Sequence, residues 1–83
     1  MSLKNDYAAV FRARCRKVGA SFNLIASSIG RRSSSLSYAI TARESPSCAV
    51  MVKAAEEVLD DLESGRVTIH ELRQQVKEAK ASA

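Results

Sequence analysis

Eighty-three residues make one small domain with no room for a second core. Apolar residues at 46% and charged residues at 27% are the balance of an ordinary globular protein. No apolar run approaches the ~20 residues of a membrane helix, and no charged-then-apolar leader opens the chain, so a cytoplasmic protein with no membrane partner is expected. The two cysteines, Cys15 and Cys48, make neither a disulfide framework nor a zinc pattern, and reduced, half-buried thiols are expected. The net charge of +4 is unevenly spread. Residues 1–43 carry eight bases (Lys4, Arg12, Arg14, Arg16, Lys17, Arg31, Arg32 and Arg43) against Asp6 alone, whereas residues 44–83 carry five bases against eight acids. One half is therefore +7 and the other −3, a face for a polyanion and a back that is not. Six of the eight N-terminal bases are Arg, whose planar fork of donors suits phosphate and guanine edges. A basic membrane-surface helix calls for a broad apolar face with Trp, and the chain has no Trp.

The periodicity is helical nearly throughout. Tyr7, Val10, Phe11, Cys15 and Val18 fall on one side of a helix over about 5–18, with Arg12, Arg16 and Lys17 opposite and Arg14 beside the stripe. Asn5 or Ser2 is the candidate cap, and Gly19 the stop. Ser21 is a fitting N-cap for a short second helix over about 22–28, with Phe22, Ile25, Ala26 and Ile29 at helical spacing and Gly30 as its end. A turn at 30–33 leads to a third helix over about 33–42, whose apolar stripe is Leu36, Ala39 and Ile40. Residues 41–47 read as a loop. Ser45-Pro46 then starts a fourth helix over about 46–62, with Cys48, Met51, Ala55, Val58, Leu59 and Leu62 inward. Its outer face carries Lys53, Glu56, Glu57, Asp60 and Glu63, and Ser64-Gly65 ends it. Thr68 and Glu71 form a capping box for a fifth helix over about 68–80, with the narrow stripe Ile69, Leu72, Val76 and Ala79. No strand pattern occurs. The expected fold is all-α with five helices: a DNA-binding unit over 1–63 and a C-terminal helical element over 64–83.

The informative motif lies on the second and third helices. Ala26 is followed by Gly30 four residues on and by Leu36 six residues after that. A helix-turn-helix needs a small side chain where the two helices cross, a residue tolerant of positive φ in the turn, and an apolar plug from the second helix. Ala26, Gly30 and Leu36 meet those needs. The run Ala20-Ser21-Phe22-Asn23-Leu24-Ile25-Ala26, continued by Gly30-Arg31-Arg32-Ser33-Ser34-Ser35-Leu36-Ser37-Tyr38-Ala39-Ile40, resembles the Ner/Nlp-type regulators. Those are small helix-turn-helix proteins of Mu-like transposable phages and their bacterial relatives. The likeness includes the serine run after the turn and a proline-led fourth helix with Met51, Ala54, Ala55 and Glu56, and it covers about residues 12–59. It implies a small lambda-repressor-like domain that binds specific DNA, represses early or transposase genes by occluding a promoter, and performs no catalysis. Two features depart from that pattern. Arg31 stands where the family usually has an apolar residue after the turn glycine, and the chain beyond residue 62 has its own capped helix.

On a helix-turn-helix the third helix enters the major groove. Arg31, Arg32, Ser33, Ser34, Ser35, Ser37, Tyr38, Thr41 and Arg43 are the candidate DNA-binding residues, with Arg31, Arg32 and Tyr38 carrying direct readout and the serines permitting close approach. The plainer alternatives are a solvated serine loop, a half-buried Tyr38 ring, and a merely solvated face for Arg12, Arg14, Arg16 and Lys17. His70 is isolated and expected at the surface. No nucleophile elbow, Ser-x-x-Lys or phosphate-binding glycine loop occurs, so neither enzymatic activity nor a cofactor or metal is expected. The expected partners are double-stranded DNA and a second copy of the chain, paired in solution or only on DNA. The fifth helix either pairs with its own copy, folds back on the first helix, or docks a foreign partner. A protein-interaction module and an architectural role in transposition or excision are the competing functions.

Overall fold

The computed structural model describes the backbone of residues 3–42 and 45–82 and the side chains of 7–42 and 45–80. Five helices follow in order: α1 (Leu3–Val18), α2 (Phe22–Ser28), α3 (Ser33–Ala42), α4 (Pro46–Ser64) and α5 (Ile69–Ser82). No strand occurs among the described residues. The expected all-α, five-helix architecture is therefore the observed one.

The helix ends follow from local chemistry. Ser21 Oγ accepts the Leu24 amide at 3.0 Å, and Ser45 Oγ accepts the Cys48 amide at 3.2 Å with Pro46 in the first turn. Thr68 and Glu71 cap α5 reciprocally: the Thr68 amide donates to Glu71 Oε1 at 3.2 Å, and the Glu71 amide donates to Thr68 Oγ1 at 3.1 Å. The fourth helix runs two residues past its expected end. Nothing in Glu63 or Ser64 opposes helix, and the chain turns only at Gly65, which takes φ of +83°.

One continuous core joins the five helices. Phe11, Cys15, Ile25, Ala26, Leu36, Ala39, Ile40, Val52, Ala55, Leu59 and Leu72 are all buried. Phe11 is its aromatic centre, edge-on to Phe22 at 5.8 Å between centroids. Two expectations are corrected here. Val10 is 57% exposed, because it stands about 100° around the helix from Phe11 and so outside the arc that Tyr7, Phe11 and Cys15 bury. Val52, absent from the expected inner face of α4, is buried, while Met51 and Val58 are only half-buried.

Helix α1 packs on α3 and α4, and α3 packs on α4. Helix α5 lies along α2, with Leu72 buried and Ile69 and Val76 half-buried. The fold-back thus falls on α2 rather than on α1.

Candidate nucleic-acid interface

The turn between α2 and α3 is built by three backbone hydrogen bonds. The Ala26 carbonyl accepts from the Ile29 amide at 3.2 Å and the Arg31 amide at 2.9 Å, and the Ser27 carbonyl accepts from the Gly30 amide at 3.0 Å. With Gly30 at φ of +73°, this is the glycine-centred helix stop known as a Schellman motif. Ala26 is completely buried, so the same residue provides the small side chain at the crossing and the carbonyl that closes the turn. Such motifs usually place an apolar residue just after the glycine, packed back on the helix. Here that residue is Arg31, exposed beside Ile29, Pro46 and Met51.

Helix α3 divides cleanly. Leu36, Ala39 and Ile40 are fully buried against the rest of the fold. Ser34, Tyr38 and Thr41 recur at helical spacing on the opposite side, all exposed, with Ser35 exposed beside them. Tyr38 is 63% exposed, which removes the core-ring alternative. Ser33, expected to face outward, is half-buried because it falls on the Ile40 side of the helix. Ser37 is half-buried too, and its Oγ accepts a hydrogen bond from Arg12 Nη2 at 3.0 Å. Arg31 and Arg32 are exposed, and neither pairs with an acid among the described residues. Arg43 lies outside the described residues.

The arginines of α1 part company. Arg12 lies with its guanidinium 4.5 Å from the centroid of the Phe22 ring and reaches Ser37, which holds a positive charge at the edge of α3. Arg14 turns to α4. Its Nη2 meets Asp60 Oδ1 and Glu63 Oε1 at 2.7 Å each, and its Nε donates to Glu63 Oε2 at 3.0 Å. That bidentate hydrogen bond to Glu63 raises the Arg14 pKa further and holds Glu63 below its ordinary value. Arg14 is thus a partly exposed strut between α1 and α4 rather than a free charge. Tyr7 supports the same contact, donating from its hydroxyl to Glu56 Oε2 at 2.6 Å. Arg16 and Lys17 are exposed.

The acids gather on one element. Glu56, Glu57, Asp60, Asp61 and Glu63 all belong to α4. The charge division that reads in the sequence as N-terminal against C-terminal is spatially α4 against the rest, since α5 between Ile69 and Ser82 carries three bases and two acids.

A cleft of about 660 Å³ opens beside the turn, walled on one side by Arg31, Arg32 and Ser34 and on the other by Val76, Ala79 and Lys80 of α5. Sequence reading did not place Lys80 near the turn. Its distance along the chain from Arg31 hides a proximity that only the α2–α5 packing creates.

Cys15 and Cys48 are both buried and unpaired, and burial pushes the Cys15 thiol up, partly countered by Arg12 and Arg14. His70 is exposed. Among the described residues no cluster of His, Cys, Asp or Glu is placed to hold a metal, and no helix is long and apolar enough to cross a membrane. No family model, curated protein or solved structure matches the chain.

Proposed function

We propose that this protein is a sequence-specific DNA-binding transcriptional regulator, with α3 entering the major groove and Arg12, Arg31 and Arg32 contacting the flanking phosphates. The observation that carries this reading is the outer stripe of α3. Ser34, Tyr38 and Thr41 are exposed hydrogen-bonding groups on a helix held by a tight glycine turn, beside two arginines that no acid among the described residues neutralises. The serines are short enough to let the α3 backbone approach the groove, and the Tyr38 phenol reaches further. The resemblance to Ner/Nlp-type regulators supports the role: a repressor that occupies a promoter of early or transposase genes, without catalysis. A second copy on a half-site about one helical turn away would complete a selective operator.

The test is binding to duplex DNA across a salt series. About five phosphate contacts give a slope of log K against log salt of roughly −4 to −5. A slope near zero refutes the reading. Footprinting on the region upstream of the protein's own operon then locates the operator. A protein-interaction role is the second reading, supported by Val50, 70% exposed above a groove lined by Ile29, Pro46, Met51 and Ala54. Absence of any duplex binding would favour it.

A further inference from the structure

Of the apolar stripe of α5, Leu72 is buried within the chain, Ile69 and Val76 are half-buried and Ala79 is exposed, and the opposite side of this helix is free for an outside partner. That side is basic. Arg73, Lys77 and Lys80 stand at positions i, i+4 and i+7, one line along the helix, and all three are exposed. The helix has a direction relative to the fold. Near its start, Leu72 and Gln75 border Val58 and Asp61 of α4, while its far end, at Val76, Ala79 and Lys80, borders the α2–α3 turn. The basic line therefore runs from the acidic back of the molecule towards the candidate DNA face.

We propose that the end of α5 is part of the DNA-binding surface, with Lys80 closing on a backbone phosphate that Arg31 and Arg32 hold from the other wall of the cleft. This rests on the DNA-binding reading and assigns a role to the segment beyond it. Three cations from two separate elements converge on one open cleft, and no acid lines it. Asn23, Ser27 and Ser34 add neutral hydrogen-bonding groups around the same space, as a phosphodiester requires. The cleft is open to solvent, and a Cβ built on Gly30 in its wall would meet nothing within 4 Å. The contact is to phosphate and carries no base preference, so α5 adds affinity in equal measure to specific and non-specific DNA.

The experiment compares the full-length protein with Lys80→Gln, Lys80→Arg and Arg73→Gln on a mixed-sequence duplex across a salt series. Arg73 lies on the same exposed line about 10 Å back towards α4 and serves as the control. Loss of one phosphate contact makes the slope of Lys80→Gln shallower by about 0.9 and weakens binding about 8-fold at 0.1 M salt. Lys80→Arg keeps the slope, and Arg73→Gln keeps it as well. Equal slopes for the wild type and Lys80→Gln overturn the proposal while leaving α3 as the DNA-binding helix. Equal losses in Lys80→Gln and Arg73→Gln also overturn it, because they would mark a diffuse charge effect rather than a contact. A wild-type protein with no salt-dependent binding refutes the DNA-binding reading itself. Circular dichroism of each variant distinguishes lost contact from lost helix.

Discussion

Arg14 and Arg32 are the same side chain on two faces of one small domain, and their surroundings give them different work. Arg14 meets two carboxylates of α4 within 3.0 Å and ties α1 to α4. Arg32 stands at the start of α3 with no acid partner among the described residues, beside a second arginine and a row of hydroxyls. A cation that carboxylates neutralise adds little attraction for a polyanion, whereas an unneutralised one keeps its field and its donors. Net charge therefore overstates the proposed binding face on α1 and understates it on α5, where Lys80 borders the turn. What distinguishes the faces is where the carboxylates stand.

The comparison breaks most visibly if its two kinds of arginine are exchanged in effect. Arg31→Ala combined with Arg32→Ala is expected to weaken duplex binding by on the order of 50-fold at 0.1 M salt and to make the salt slope shallower by about 2, with an unchanged melting temperature. Arg32→Ala alone is expected to weaken the specific site and random DNA by equal factors, and a larger loss at the specific site would make Arg32 a base contact instead. Next in size is the support under the binding face. Ala26→Val adds two methyl groups to a site with no exposure and is expected to cost about 1–3 kcal/mol in denaturant unfolding. An unchanged stability would mean that α2 and α3 do not cross at Ala26.

Gly30→Ala is expected to cost about 1–2 kcal/mol. A Cβ there meets nothing within 4 Å, so the penalty arises from the left-handed backbone at φ of +73°. Gly30→Asn should recover part of it, and equal penalties would point to crowding instead. Smallest is the strut. Arg14→Ala should lower the melting temperature slightly, more at low salt than at high, and leave the DNA salt slope unchanged. Because Glu63 titrates below its unfolded value, its contribution is fully present above the ordinary carboxylate pKa and is lost as pH falls through the depressed one. Glu63→Gln should therefore flatten the acid limb of the stability–pH curve, and an unaltered limb would contradict the strut.

Most of the fold was legible because its boundaries are written in single residues with strong local preferences. Ser21, Ser45-Pro46 and the Thr68–Glu71 box each cap a helix where expected, and Gly19, Gly30 and Gly65 each take positive φ at a helix end. The outer face of α3 was legible for the same reason, since Leu36, Ala39 and Ile40 leave only one side outward. What stayed hidden depends on partners far along the chain. Periodicity showed that α5 had an apolar stripe but could not name α2 as its cover, because that contact joins elements more than forty residues apart in the chain. The division of Arg12 from Arg14 was hidden likewise. Two residues apart on α1, they point to different neighbours, one to Phe22 and Ser37 and the other to Asp60 and Glu63. Ser33 lies seven residues before Ile40 and so on its side of the helix, a spacing that the serine run masks and that leaves Ser33 half-buried rather than outward.

Titration of the isotopically labelled protein with duplex DNA, followed through its backbone amide resonances, tests the central claim most directly. The expected result is movement concentrated in residues 31–38 and 76–80, with the outer face of α4 from Glu56 to Glu63 unmoved. Shifts centred on α4, or no shifts at low salt, would contradict the assignment of α3 and its turn as the DNA-binding face.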